Sequence, residues 1–531
     1  MKSISRGMWE TKVALERIKL VGRIKFVGVL VVVLFAAFAS TSMAAPVYPA
    51  AEPYGTHDAG GFRNVLPAGE AGVDNAVDLA AFETARTIPP HFADQLPLYE
   101  NLVYADPTLT VSQVSRYFKD ATFGVRSGNI ASIEHPEPGL TIVRDEYDVP
   151  HIYGSTRAAV MFGAGYAGAE DRLFLMDVLR HTARAELASF AGGSRSNRAM
   201  DESQWALAPY TEADLQSQIA LAPKLYGAAG SRLINDARNY VAGINSYVSA
   251  AKLNPLLLPS EYLASGQSPQ PWKITDVIAE ASLIGGIFGK GGGNELRSAL
   301  TLQALEQRFG RARGELAWSD FREANDPEAP TTILGHRFPY ETTSAFATRG
   351  LALPDPGSVT FPAVGSPSSS AAGDARGALS GLGTTLRQAL ASPGHASNWE
   401  LVAARHSTNG HPLAVMGPQV GYYVPAILME EDLHGPGIDA RGAAFPGVNQ
   451  YVELGHGRDY AWSATTATAD NIDTFAEVLC RDAFHYLYRG HCLAMQKLVR
   501  QESWKPSLAD AAPAGSETLT AYRTVHGVVY A

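Results

Sequence analysis

Ser397 begins a strand-like stretch, SNWELVAARHSTNGHPLAVMGPQVGYY, directly after a tract rich in small residues. If the Ala396–Ser397 bond were cut, the Ser397 hydroxyl would share its residue with a free α-amine. Such an amine titrates at about pH 7.7–8.0, and burial favours its neutral form. It would act as a general base near neutral pH and activate the hydroxyl without a histidine. The reaction this allows is attack on an amide carbonyl, formation of an acyl-enzyme and release of the acid by water. The same hydroxyl would perform the cut itself by an N→O acyl shift. A conventional Ser-His-Asp hydrolase is the first rival. However, no GxSxG elbow occurs, and His395 and His406 flank Ser397 without a triad pattern.

Other residues with chemical potential are fewer. Cys480 and Cys492 are the only cysteines. In an exported chain they suggest a disulfide, with a zinc site through His485, His491 and Cys492 as the alternative that lacks a fourth ligand. The cluster Gly289–Gly293 does not make a phosphate loop. Ile284 stands where the first glycine belongs, and Gly291 follows Lys290 in place of Ser or Thr. A formal charge of −10 without basic runs argues against a nucleic-acid partner.

The elements that must position Ser397 follow from pattern. Asn409-Gly410 between apolar runs predicts a tight type I′ turn joining strands Trp399–His406 and Leu413–Met416. Upstream, Leu140–Arg144 reads as a strand. Ser155 or Thr156 caps a long helix whose apolar stripe is Phe162, Tyr166, Ala169, Leu173 and Met176, with Arg172, Asp177 and Arg180 off the stripe and Gly192-Gly193 as its stop. Further helices are expected at 77–86, 211–220, 229–252, 274–289 and 296–309. Tyr451–Leu454, Asp459–Ser463, Thr474–Leu479, His485–Tyr488 and Val525–Tyr530 are strand-like. Between Gly350 and Ala396, 29 of 47 residues are Gly, Ala, Ser or Pro. Such a stretch is not expected to bury enough surface to offset its ordering entropy, and reads as a linker or an excised spacer.

The chain has 531 residues, 46% hydrophobic and 18% charged, enough for a sizeable core. Residues 1–25 hold seven Lys/Arg and two Glu, and the apolar run Phe26–Ala39 is short for a bilayer span, which needs about 20 residues. With Ser42-Met43-Ala44 as a small-residue cleavage site, this predicts export to the periplasm or medium and no stable membrane association after removal. An uncleaved anchor is the alternative. The expected divisions are a signal peptide (1–44), an N-terminal extension (45–135), a largely helical region (136–349), the spacer (350–396) and the nucleophile-bearing part (397–531).

Seven blocks together carry a resemblance: RDEYDVPHIYG (144–154), GYAGAEDRLFLMDVLR (165–180), SNW (397–399), GPQVGYY (417–423), LHGPGID (433–439), AWSATTATADNIDTFAE (461–477) and YRTVHG (522–527). In content and order they resemble the penicillin acylase family of N-terminal nucleophile hydrolases, over about 140–531. The resemblance implies an α+β fold, a four-layer αββα sandwich with the 397–423 hairpin in its central sheet and a largely helical α-subunit region outside. It implies an exported zymogen, cut between Ala396 and Ser397 into an α/β heterodimer of its own processed chains. The activity implied is hydrolysis of a linear side-chain amide in a penicillin, cephalosporin or other small N-acyl compound.

Site residues follow by the same resemblance. Gln419 matches the residue whose main chain orients the terminal amine. Thr466 matches the position whose backbone N–H forms half of the oxyanion hole, where members acting on penicillin G carry Ala. Glu295, Asp470, Asp473 and the Ile472 carbonyl match calcium ligands, hard oxygen donors suited to that ion. No organic cofactor is implied. Val420, Tyr422 and Phe288 are expected to line the acyl pocket, which Val420 and the glycines at 289–293 make roomier. The family's second oxyanion donor, an Asn followed by Arg, and its remaining calcium ligands fall beyond Ala531. The fold is therefore expected to be incomplete at its C-terminus. The other reading is an inactive truncated member, or a fragment that at most binds acyl compounds.

Overall fold

Alternating apolar residues make a pair of short strands, β2 (Leu140–Asp145) and β3 (Pro150–Gly154), and Asp148 at φ 59° lies in the turn between them. β1 (Ile130–Glu134) pairs on the outer side of β2. The computed structural model describes residues 62–64, 75–92, 104–126, 128–289, 291–320, 353–359, 379, 381–384, 386, 397–408, 410–418, 426–466 and 470–531. It divides into two units, one of residues 1–287, 367–466 and 500–519, the other of 288–366, 467–499 and 520–531.

In the first unit Thr156 caps α1 (Arg157–Ala183), its hydroxyl accepting the Ala159 N–H at 3.1 Å, as the sequence led us to expect. α1 does not end at Gly192-Gly193. It stops at Ala183, with Ala185 left-handed at φ 54°, and the short α2 (Leu187–Ala191) follows. Next come α3 (Arg195–Leu207) and α4 (Glu212–Leu253). The helices expected at 211–220 and 229–252 are the two arms of α4, joined across a kink at Gly227 (φ 55°, ψ −125°) just beyond Pro223. α5 (Ile274–Phe288) comes later in the chain.

α1 and α4 touch backbone to backbone. A Cβ at Gly165 would lie 1.9 Å from the Tyr240 carbonyl oxygen, and one at Gly243 would lie 1.9 Å from that of Phe162. Leu140, Ile142, Ile152, Ala169, Leu173, Met176, Tyr240 and Ile244 form the centre of the core around this crossing.

The chain after Ser397 supplies the other half of the sheet. β4 (Ser397–Val402) and β5 (Leu413–Pro418) form a hairpin, followed by β6 (Met429–Gly435), β7 (Ile438–Ala444), β8 (Leu454–His456) and β9 (Ala461–Trp462). The seven-stranded sheet runs β9-β8-β7-β6-β3-β2-β1. Every pairing in it is antiparallel except the parallel β3–β6 junction, where His151 faces Asp432, Ile152 faces Leu433 and Tyr153 faces His434. Segments from either side of Ser397 thus share one sheet.

In the second unit, α6 (Glu295–Phe309) and α7 (Arg311–Asp320) are joined at Gly310, and the Trp318 indole donates to the Ser298 carbonyl. β10 (Asp470–Ile472) runs parallel to the two-residue strand Gly291–Gly292. β11 (His485–Tyr488) and β12 (His491–Ala494) form a hairpin.

Four expectations are corrected. The 397–418 hairpin has no two-residue turn. Pairing ends at Val402–Leu413, and a 3₁₀ turn at Ala404–His406 lies in the chain between them. Nor does this hairpin join the seven-stranded sheet; among the described residues it is a two-stranded sheet by itself. Thr474–Leu479 is not a strand, because only Leu479 makes a bridge, to Tyr486. Finally, the composition argument fails within the Gly/Ala/Ser/Pro tract: Leu379 and Leu386 are buried in the core. Three leucines in eight residues, 379, 382 and 386, give that segment an apolar side that average composition conceals.

Among the described residues no helix is long and apolar enough to cross a membrane. The proposed signal peptide lies outside them.

Candidate active site

Ser397 is the first residue of β4 and is half-buried, directly opposite Pro418 at the end of β5. The next residue along β5, Gln419, lies outside the described residues, as do Val420, Tyr422 and Ala396. Side chains at 397, 399 and 401 share one face, as alternation requires. Trp399 is 43% exposed, Leu401 67% and, on the opposite face, Val415 69%. Thr466 is half-buried in the coil after β9. Phe288 is half-buried at the last residue of α5.

Among the residues expected as calcium ligands, β10 sets the Asp470 carboxylate and the Ile472 carbonyl against Gly292 and Gly293. The Gly293 N–H donates to the Ile472 oxygen at 2.6 Å, and a Cβ at Gly292 would sit 2.1 Å from Asp470 Oδ1. Glu295, two residues on, opens α6 and is exposed, as are Asp470 and Asp473. Among the described residues, however, no group of three His, Cys, Asp or Glu side chains is placed to hold a metal ion. The segments meet; the carboxylates do not converge. Cys480 and Cys492 are joined in a disulfide across the β11–β12 hairpin, with Cα atoms 6.1 Å apart.

What sequence reasoning missed is a buried ionic network spanning the β3–β6 junction. His151 is fully buried, with Nδ1 2.7 Å from Asp432 Oδ2 and Nε2 3.1 Å from Asp145 Oδ2. Burial works to lower the His151 pKa, but the hydrogen bonds to Asp145 and Asp432 outweigh it, and the pKa is raised. Asp432 also accepts the Gly124 N–H at 2.7 Å and pairs with His434 Nε2 at 2.8 Å. Beside it, Glu430 holds Lys119 and Arg441, each at 2.8 Å, and Arg441 reaches the Thr122 and Asp120 carbonyls. Arg144 lies among Asp171, Asp148, Glu170 and Glu134.

The residues off the α1 stripe are also buried and partnered. Arg172 donates to the Ala426 carbonyl at 2.8 Å, while Asp177 receives the Tyr262 hydroxyl, the Trp272 indole and Arg180. One signal was available: charged residues inside an otherwise Ala/Gly/Leu helix are expensive to bury without partners.

The family model described as penicillin amidase matches residues 140–531. This chain belongs to the penicillin amidase family. Penicillin G acylase of Escherichia coli is 27% identical over 417 residues, covering 75% of this chain and 46% of the relative. Acyl-homoserine lactone acylase QuiP of Pseudomonas fluorescens Pf-5 is 24% identical over 417 residues, 78% of this chain and 44% of the relative. A solved structure, the thermostable penicillin G acylase from Alcaligenes faecalis, is 28% identical, covers 39% of this chain and 98% of its own, and superposes with a TM-score of 0.31. The chain spans about half the length of the curated relatives it matches.

In this penicillin amidase family member, the block RDEYDVPHIYG supplies Arg144, Asp145, Asp148 and His151 to the buried network, and LHGPGID supplies His434 and Asp439 next to Asp432. That gives them a structural role, holding the sheet together where the two halves of the chain meet.

The network makes a pH prediction. Burial lowers the His434 pKa, but the Asp432 charge more than offsets this and lifts it to about 9, from an ordinary 6.5. A raised histidine pKa stabilises the fold fully below pH 6.5, and the contribution is lost as pH rises through 9. Asp439, Tyr153 and Phe123 also face this ring. Thermal melts from pH 6 to 10 should show an alkaline loss of about 1–3 kcal/mol that His434→Gln removes. Equal alkaline slopes in both proteins would exclude the pair as its source.

Proposed function

We propose that the protein is an exported amidohydrolase that cleaves a linear side-chain amide through an acyl-enzyme on Ser397, exposed as a chain terminus by self-cleavage after Ala396. The observation that carries this reading is the sheet itself. Ser397 begins a strand, and the chain before and after it is held together without the 396–397 bond. β3 pairs with β6, His151 and Lys119 bind Asp432 and Glu430, and the Tyr240 hydroxyl accepts the Gly447 N–H at 2.8 Å. A cut there leaves an α/β heterodimer interlocked by buried ion pairs and hydrogen bonds.

In the reaction, the Ser397 amine takes the hydroxyl proton as the oxygen attacks the amide carbon, then returns it to the leaving amine; water repeats the cycle on the ester. Gln419 would orient the amine, and the Thr466 N–H would donate to the oxyanion. Val420, Tyr422 and Phe288 would contact the acyl group. The names of the relatives point to two amide classes, penicillins and N-acyl-homoserine lactones.

Calcium is retained as a structural proposal only, through Glu295, Asp470, Asp473 and the Ile472 carbonyl, and no catalytic step passes through it. A calcium-dependent rise in Tm that Asp470→Asn abolishes would support it; identical melts with calcium and with chelator would remove it. The apolar exposure of the β4–β5 hairpin favours a second reading, a chain that folds this far but does not mature. The deciding experiment is to treat the exported protein with a sulfonyl fluoride and map the adduct. Labelling at the N-terminal Ser397 of a new fragment supports the hydrolase. An uncut chain without label supports the second reading.

A further inference from the structure

Residues 379, 381–384 and 386 lie within the tract that composition marks as a spacer, yet they are seated in a slot on α3. Asn197 of α3 is fully buried and spends its side chain on this segment. Its Nδ2 donates to the Leu379 carbonyl at 3.2 Å and to Gly192 at 3.0 Å, and its Oδ1 accepts the Gly383 N–H at 2.9 Å. The neighbouring Ser196 Oγ accepts the Thr384 N–H at 2.6 Å and lies 2.7 Å from the Thr384 hydroxyl. At the other end, the Leu379 N–H donates to the Ala509 carbonyl at 3.0 Å. Leu379 and Leu386 enter the core, with Leu382 packed against it. Gly383 fits because nothing larger can: a Cβ there would meet the Ser196 carbonyl oxygen at 2.3 Å and Asn197 Cα at 3.0 Å.

We propose that this slot is a peptide-binding site for residues 379–386, and that the segment stays in it when the surrounding chain is cut. Removing it would leave the Asn197 oxygen without its donor in a buried place and uncover the pocket of two leucines. Each such loss is unfavourable on its own. The excised part of the spacer is then confined to residues on either side of 379–386, and mature protein carries these eight residues as a chain end or as a bound peptide. The timing of that statement rests on the cleavage proposed before Ser397; the binding does not.

The test uses the full chain with specific protease sites inserted after Arg376 and after Arg387, in the uncleavable Ser397→Ala background. After both sites are cut, native mass spectrometry should find the peptide spanning 377–387 retained at one copy per protein, and denaturing conditions should release it. Gly383→Val should weaken retention by about tenfold or more, which at 1.4 kcal/mol per decade matches the loss of one to two hydrogen bonds. Release of the wild-type peptide on cutting, or equal retention of the Gly383→Val peptide, overturns the proposal. If Ser397→Ala still yields a fragment beginning at residue 397, the proposed nucleophile fails while the retention result stands.

Discussion

Substituting Ser397 with Ala should leave the chain uncut and lower amide hydrolysis by about 10⁴-fold or more, because in the proposed mechanism one hydroxyl serves both reactions. Intact mass spectrometry of the two proteins side by side reads the first effect, and release of acid from a phenylacetyl amide or an N-acyl-homoserine lactone reads the second. Ser397→Cys is the control for folding. A thiol at that position attacks the same carbonyl, so cleavage should return at a reduced rate while Ala stays inert. Ser397 is half-buried at a strand start and its hairpin is not part of the main sheet, so the Ala variant should melt with the wild type. A fragment beginning at residue 397 in the Ala variant would mean that another group makes the cut.

The second large effect is on stability. Arg144→Met should cost about 3–5 kcal/mol, the usual cost of leaving buried charges without their counter-ion. Arg144 is 4% exposed and bonds Asp171 at 2.9 Å, Asp148 at 3.3 Å and the Asp148 carbonyl at 2.9 Å, with Glu170 and Glu134 completing its shell. Asp171 is itself fully buried; burial raises its pKa well above the ordinary range, against the opposing pull of Arg144. Removing the guanidinium forces these acids to take up protons or to admit water. The expected reading is a fall of roughly 5–15 °C in Tm. Arg144→Lys should recover only part of it, since an ammonium cannot reach four partners in a planar fork. A change below about 2 °C in the Met variant would show that the acids are satisfied without Arg144.

Local pattern determined a good deal of this protein. The cap at Thr156, the strand at Leu140, the helix before Arg86 and the strand His485–Tyr488 stand where periodicity and capping put them, because each depends on neighbours within a few residues. The two cysteines were close enough in sequence for a hairpin to join them. The family was legible from the order of its blocks.

Tertiary structure decided the rest. The parallel pairing of β3 with β6 joins segments that share no local signal, and only that pairing brings His151 to Asp432. Hence Asp432, His434 and Arg441 carried no sign of burial in a sequence that shows them as ordinary polar residues. The same holds for residues 379, 381–384 and 386. Their composition speaks for disorder, and the reason they are ordered, a buried asparagine and a glycine-sized gap, lies on a helix far upstream. Thr474–Leu479 is the reverse case, a run with strand propensity that meets β11 only at its end, through the Leu479–Tyr486 bridge. Propensity reports what a segment can do by itself; burial and pairing depend on what the folded chain places beside it.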